Sequence, residues 1–377
     1  MSLRTFFRPY RRVVVKIGSS LLTEAGTLQL RLEWLRDLCA ELADVRASGT
    51  QVIVVTSGAV ALGRSRMGAM HGPLRIQDKQ AYAALGQTDL IHAYRGMFSR
   101  HGLHVGQILL SYGDCENRRS YLNVRNTIDT LLQYDAVPVI NENDTVTTRE
   151  LRFGDNDRLA AIVAQMAGAD ALVLLSDVDG LYTANPSANE NAVHIPLVEN
   201  ITEEIRAMAG GSGSSVGSGG MVTKIKAAEM ATPCGCDVYL TCGALRRPIS
   251  LLASGEVKYT LFKHRDTLVN ARKRWILGNM HVYGHIFIDA GAVKALKEGK
   301  SLLPAGVIDI TGDFDRGDTV TITDCRNEEI GRGLVAYNAS DARLIKGHNS
   351  AAIEHLVGFS GRTELIHRDD LVLTGRF

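Results

Sequence analysis

The chain has 377 residues, enough for two or three domains, and its 45% hydrophobic and 22% charged residues are those of a folded globular protein. Lys and Arg number 42 against 41 Asp and Glu, a net charge of +1, which argues against a partner held mainly through a phosphate backbone. No apolar run approaches a membrane span, and the basic start MSLRTFFRPYRR lacks the apolar core of a secretory signal.

In chain order, short apolar runs alternate with helical patterns over the first 250 residues. The runs are Val13–Ile17, Val52–Thr56, Ile108–Leu110, Ala136–Ile140, Ala171–Ser176 and Asp237–Thr241. Most are continuously apolar, as strands buried on both faces are. Between them, Leu32, Leu35, Leu38, Leu42 and Val45 recur at helical spacing, and so do Tyr121, Val124, Ile128 and Leu131. Gly49 stands where a helix-ending glycine would. This alternation predicts a three-layer αβα sandwich on a mostly parallel sheet, with ligands at the carboxyl ends of the strands.

After the first run comes Lys16-Ile17-Gly18-Ser19-Ser20. A lysine inside VVVKIG is either a strand-edge side chain reaching for water or an ammonium aimed at phosphate, with Gly18 and Ser19 offering backbone N–H groups. After the second comes Thr56-Ser57-Gly58, where Ser57 reads either as a helix N-cap or as a ligand contact. After Ile140 come Asn141-Glu142-Asn143-Asp144-Thr145 and then Gly154-Asp155-Asn156-Asp157, more amides and carboxylates than a turn requires. Such groups suit the two ends of an amino acid. Ser176, Asp177 and Asp179-Gly180-Leu181-Tyr182 follow the fifth run, and the Leu-Tyr pair is a candidate lining for an adenine.

Residues 210–220 are a Gly/Ser run that ends abruptly in Met221-Val222-Thr223-Lys224 and a helix-forming stretch. Such a run is either a linker or a loop whose backbone N–H groups cradle a phosphate. It is not a Walker A loop. Glu298-Gly299-Lys300-Ser301 imitates the end of one, but position 294 is Lys where the first glycine belongs. The six cysteines include Cys234, Cys236 and Cys242, without a second pair at zinc spacing, so buried thiols in a reducing, cytoplasmic compartment are expected and no metal site.

Residues 256–280, with Arg272-Lys273-Arg274, read as a connector. From 281 to 377, the segments HIFIDAGAVKAL, GVIDITGDFDRGDTVTITD and EIGRGLVAYNA read as short strands of a small barrel-like domain. It holds 11 basic against 14 acidic residues, poor material for gripping bulk RNA.

VVVKIGSSLLT, VIVVTSGAVALG, VPVINENDTV, GDNDRLAA, LLSDVDGLYTANP and GSGGMVTKIKAA occur in the order seen in the glutamate 5-kinase family of the amino acid kinase superfamily, and the tail resembles a PUA domain. The chain resembles that family over nearly its whole length. The departures are Ser19, Ser176 and Ser218 where the family has Thr, each keeping the hydroxyl, and Asn185 where it has Asp, which touches turn or nucleotide geometry. The resemblance implies a kinase domain at 1–255, a connector at 256–280 and a PUA domain at 281–377. It implies transfer of phosphate from ATP to the side-chain carboxylate of L-glutamate, with Mg²⁺ carried on the nucleotide phosphates. Lys16, Lys224 and Asp157 would be catalytic, and Ser57, Asp144 and Asn156 would bind glutamate. Lys16, Gly18, Ser19, Ser176, Asp177 and the segment Ser218, Gly219, Gly220, Met221, Val222, Thr223 and Lys224 would hold ATP. It further implies feedback inhibition by proline, a homodimer or homotetramer, and a glutamyl phosphate reductase downstream. Acetylglutamate, aspartate and uridylate kinases share the general pattern, and PUA domains occur in RNA-modifying enzymes; these are the alternatives.

Overall fold

The computed structural model describes residues 1–69, 72–147, 156–209, 220–264, 282–359 and 361–374. It divides into two compact units, one formed by Met1–Asn117 and Asn123–Leu268, the other by Arg118–Leu122 and Val269–Phe377.

In the first unit the strands are β1 (Arg12–Ile17), β2 (Gln51–Val55), β3 (Val105–Leu110), β4 (Val137–Glu142), β5 (Ala171–Ser176), β6 (Leu181–Tyr182), β7 (His194–Ile195), β8 (Leu197–Val198), β9 (Asp237–Cys242) and β10 (Tyr259–Phe262). The helices are α1 (Leu3–Phe7), α2 (Ser19–Leu22), α3 (Leu32–Ala47), α4 (Ala59–Arg66), α5 (Ile76–Ser99), α6 (Tyr112–Glu116), α7 (Arg118–Gln133, of which Asn123–Gln133 belong to this unit), α8 (Asn156–Ala167), α9 (Glu203–Met208), α10 (Met221–Ala231) and α11 (Pro248–Ser254). Among the described residues, eight strands form one sheet in the order β3-β4-β2-β1-β5-β9-β10-β8. Every neighbouring pair is parallel except β9 with β10. The six predicted strands are β1 to β5 and β9.

Both faces of the sheet are buried, and strand alternation assigns each residue to one of them. Val13, Val15 and Ile17 join the apolar cluster that contains Leu35, Leu38 and Leu42 of α3 and Tyr94 and Phe98 of α5. Val14 is fully buried outside that cluster, and Lys16 shares its parity. The opposite face is the one packed by α8. Lys16 therefore points towards α8, away from the large apolar cluster.

Two close approaches set the helices. Along their buried faces α8 carries Ala160, Ala161, Ala164 and Ala167, and α10 carries Ala227, Ala228 and Ala231. Small side chains bring the two axes together, so their first turns are adjacent. Gly63 on α4 and Gly86 on α5 do the same for that pair: a Cβ on Gly63 would fall 1.9 Å from the Tyr82 carbonyl oxygen, and one on Gly86 1.9 Å from that of Ala59.

The second unit contains β11 (Gly284–Ile288), β12 (Val307–Gly312), β13 (Thr319–Thr323), β14 (Glu329–Leu334) and β15 (Leu371–Leu373), in the order β12-β11-β13-β14-β15. The expectation of strands throughout HIFIDAGAVKAL is corrected. Only its start is strand; Asp289 then caps a helix, α12 (Ala290–Lys297), by accepting from Ala292 N at 2.6 Å. The false P-loop end lies just beyond α12, where Lys300 pairs with Glu298 at 2.7 Å.

Candidate active site

The register of the central strands sets the site. Lys16 lies level with Val55 of β2 and Leu174 of β5. Ser57 and Ser176 each stand two residues further on and so flank Lys16 at the carboxyl edge. Val55 pairs with Ile140, which puts Thr56 and Asn141 side by side one step beyond.

Lys16 is 6% exposed and Lys224 4%, and between them Asp157 is fully buried. Lys16 Nζ forms an ion pair with Asp157 Oδ1. Lys224 Nζ reaches Oδ2 at 3.3 Å, and Thr223 Oγ1 donates to the same oxygen at 3.1 Å. Both ammoniums lie at a depth where charge is costly unless paired, and both are aimed at the same carboxylate. Two such cations side by side are a suitable place for an anionic ligand.

Backbone N–H groups converge on the same edge. Gly18, Gly58 and Gly220 are the N-caps of α2, α4 and α10, and none caps its helix with a side chain. The first N–H groups of those helices therefore look outward, where an anion is welcome. A Cβ on Gly18 would come 4.0 Å from Lys16 Nζ, so the glycine keeps the space in front of the ammonium open. Met221 and Val222 form the first turn of α10, and Ser19 that of α2. Ser176 is buried at the end of β5 and donates to Asp177 Oδ1 at 2.9 Å. Leu181 is buried, and the Tyr182 ring meets His194 edge-on at 5.1 Å between centroids.

On the other side of Lys16 is a set of amides. Asn156 Nδ2 donates to Thr56 O at 2.6 Å, Ser57 Oγ at 2.8 Å and Asn141 Oδ1 at 3.0 Å. Ser57 is not the N-cap of α4. That position is Gly58, with φ +94°, a backbone conformation that favours glycine. Asn141 Nδ2 donates in turn to Gln87 Oε1 at 2.8 Å. Gln87, Glu142, Asn143 and Asp144 line a cavity of about 390 Å³ with Ala59 and Thr145.

Of the candidate residues, Lys16, Lys224 and Asp157 form one contact group, and Ser57 and Asn156 another beside it. Asp144 lies on the cavity wall. Ser218, Gly219, the rest of the run 210–219, residues 154–155 and Arg272–Arg274 lie outside the described residues. The sequence reading assigns no role to Gln87 and none of its own to Asn141. Asn141 sits inside the polar segment after the fourth strand, which is a signal; a glutamine on a helix carries none. Cys39 and Cys236 are buried, and burial pushes both thiols up. Among the described residues no helix is long and apolar enough to cross a membrane.

Residues 11–241 match the model of the amino acid kinase family, and residues 284–357 that of the PUA domain. Curated glutamate 5-kinases are similar to this chain over almost its full length. The one from Rhodopseudomonas palustris is 52% identical over 364 residues, covering 97% of this chain and 96% of its own. That from Paramagnetospirillum magneticum is 52% identical over 365 residues, covering 97% and 98%. A Bradyrhizobium enzyme is 52% identical over 364 residues, covering 97% and 96%.

Proposed function

The chain belongs to the amino acid kinase family, among its glutamate 5-kinases, and we propose that the cradle of Lys16, Asp157 and Lys224 is where it carries out the ATP-dependent phosphorylation of L-glutamate. The product is γ-glutamyl phosphate, at the head of proline biosynthesis. The observation that carries the site assignment is the single carboxylate of Asp157 between two buried ammoniums at the middle of the sheet edge.

The chemistry follows from charge. A glutamate side chain, with an ordinary pKa of about 4.3, is already an anion at neutral pH and needs no general base. An oxygen of that carboxylate forms a bond to the γ-phosphorus as the bond to the β,γ-bridging oxygen breaks, and ADP leaves with the electron pair. Two anions must be brought together, so positioning and positive charge supply the catalysis. Lys16, between the amide cluster and the nucleotide side, stabilises the transferring group. Lys224 and the N–H groups at the start of α10 hold the β- and γ-phosphates, with Gly18 and Ser19 opposite. Ser176 and Asp177 border the nucleoside end. Asp157 sets the spacing of the two ammoniums.

Ser57 Oγ accepts from Asn156, which leaves its own O–H to donate to a carboxylate of the substrate. The N–H groups of Asn156 are committed, so its carbonyl oxygen is what it offers, and that suits the α-ammonium alongside Asp144. The phosphate cradle suits ATP: it brings two ammoniums together beside helix N-termini. Both oxygens of Asp157 face cations or a hydroxyl, so Mg²⁺ belongs on the phosphate oxygens, where it neutralises charge when bound.

The same reading takes residues 1–255 as the kinase domain, 256–280 as connector and 281–377 as the PUA domain, which carries a net negative charge and is assigned no RNA. It includes a cytoplasmic homo-oligomer inhibited by L-proline, whose likeness to glutamate suits the polar loop 143–155, of which residues 148–155 lie outside the described residues, and a glutamyl phosphate reductase as consumer of the product. The test is a hydroxylamine trap for the acyl phosphate, run with glutamate, acetylglutamate and aspartate and with ADP measured in parallel. Hydroxamate and ADP forming together with glutamate alone is the expected result. ADP with another acceptor, or ADP without hydroxamate, overturns the reading.

A further inference from the structure

We propose that Gln87 is a positioning residue for the amino-acid substrate, acting through Asn141 on Asn156. The inference rests on the reading of Asn156 as a glutamate contact. Gln87, Asn141 and Asn156 come from α5, β4 and α8, and their amides form one row.

The polarity of that row is fixed from its middle. The backbone N–H of Glu142 donates to Asn141 Oδ1 at 2.9 Å. A backbone N–H can only donate, so that end of Asn141 is oxygen. The same oxygen receives Asn156 Nδ2 at 3.0 Å. The other end of Asn141 is therefore a donor, and it finds its acceptor in Gln87 Oε1 at 2.8 Å. With Asn141 turned over, its NH₂ would face two donors, Glu142 N and Asn156 Nδ2, and its oxygen would face the Gln87 oxygen. Glu142 N and Asn156 Nδ2 settle which end of Asn141 is oxygen, and Gln87 anchors the other end, holding the amide where it accepts from Asn156.

The consequence reaches Asn156. Asn156 Nδ2 has three acceptors, Thr56 O, Ser57 Oγ and Asn141 Oδ1, for its two hydrogens. Its own Oδ1 accepts no hydrogen bond among the described residues. The row thus ends in an oriented carbonyl oxygen beside the Ser57 hydroxyl, an acceptor for an ammonium next to a donor for a carboxylate. Gln87 is 8% exposed and Asn141 2%, so water competes little for these bonds. The Gly86 close approach brings Gln87 to this point by letting α5 pass against the start of α4.

The test is steady-state kinetics of Gln87→Met, Gln87→Glu, Asn156→Ala and the Gln87→Met/Asn156→Ala double variant, with each substrate varied. Removing the acceptor in Q87M is expected to raise KM for glutamate about tenfold while KM for ATP stays within about twofold. Q87E keeps an acceptor at the same reach and is expected to return KM for glutamate to within about threefold of the parent. In the Asn156→Ala background, Q87M is expected to add less than about twofold, because its effect runs through the missing amide. An unchanged glutamate KM in Q87M, an equal rise for both substrates, a Q87E as poor as Q87M, or full multiplication in the double variant overturns the proposal. A normal glutamate KM in Asn156→Ala alone instead removes the underlying reading of the glutamate site, and this inference falls with it. Should Q87M not fold, Gln87→Ser, whose shorter side chain leaves room for water, carries the same comparison.

Discussion

Lys224 stands 3.3 Å from Asp157 across the seam between the first turns of α10 and α8, while Lys16 takes the other carboxylate oxygen from β1. One negative charge thus sets the positions of two positive ones. Replacing Asp157 by Asn keeps the shape and removes the carboxylate that both buried ammoniums share. Breaking a buried pair in this way typically costs about 3–5 kcal/mol. Urea unfolding without nucleotide is expected to show a loss of that order, and ATP to restore part of it by supplying the missing negative charge. Turnover is expected to fall at least about a hundredfold, in line with loss of a preorganised electrostatic group. Parent-like turnover and stability in D157N would remove Asp157 from the design.

Lys16→Met separates catalysis from folding. Asp157 keeps Lys224 and Thr223 as partners, so no charge is left buried alone. The expected outcome is a drop in kcat of about 10²–10³, the scale for losing one donor to a developing charge, with the far-UV spectrum unchanged. Single-turnover phosphoryl transfer is the direct measurement. A variant that transfers phosphate at the parent rate takes Lys16 out of the mechanism.

The central fold is legible because its physics is local. Strands buried on both faces are apolar along most of their length, and the cores of β1, β2, β4 and β5 (Val13–Val15, Val52–Val55, Val137–Ile140 and Ala171–Leu175) are. Lys16 is legible as an exception to that rule, and its parity with Val14 already assigns it to one face of the sheet. Which helix covers that face is not legible, because it depends on the alanine stripes of α8 and α10 meeting in space. Gln87 is illegible for a related reason. On a helix a glutamine reads as a solvent-facing residue, and only the crossing at Gly63 and Gly86 turns it inwards to Asn141. The run HIFIDAGAVKAL misleads because Ala290 to Lys297 is apolar enough for a strand, while Asp289 is a helix cap that outweighs the local pattern.

Ser57→Ala tests the amino-acid end. The lost hydroxyl is an acceptor for Asn156 and, in the proposed site, a donor to a substrate carboxylate. A hydrogen bond to a charged group is worth about 1.5–3 kcal/mol, so KM for glutamate is expected to rise about 10–100-fold with KM for ATP unchanged. Initial rates with each substrate varied at saturation of the other decide it. A rise confined to ATP would reverse the assignment of the two sides of Lys16.

Asp237 makes a prediction about pH. Burial alone would raise its pKa, but the His264 backbone N–H at 3.0 Å, the Lys263 ammonium at 2.9 Å and the His264 ring outweigh it and hold the carboxyl below the usual range. Tyr10 also donates to it at 3.0 Å, and the Tyr239 phenol beside Tyr10 is pushed up to about 12, chiefly by burial. A carboxyl with a depressed folded pKa stabilises the fold above its unfolded value, about 3.9, and that stability is lost as pH falls through the folded value. Chemical denaturation from pH 7 to pH 3 is expected to show stability declining below about pH 4. Asp237→Asn is expected to be less stable at pH 7 and to decline less on acidification. An equal decline in both proteins would show that other carboxylates carry the acid transition.

Gly86→Ala probes whether the α4–α5 crossing serves the site as well as the fold. The added Cβ would lie 1.9 Å from the Ala59 carbonyl oxygen and 2.6 Å from the Gly63 nitrogen, both backbone atoms that cannot rotate away. The helices must separate, and overpacking of this kind costs about 1–3 kcal/mol. Because Ala59 opens α4 directly after Ser57 and Gly58, while Gln87 follows Gly86, the separation pulls the Gln87 acceptor from Asn141. The expected result is a lower denaturation midpoint together with a raised KM for glutamate and an unchanged KM for ATP. Loss of stability with both Michaelis constants intact would confine the crossing to a packing role. A Gly86→Ala variant as stable as the parent would mean that the helices do not approach this closely in solution.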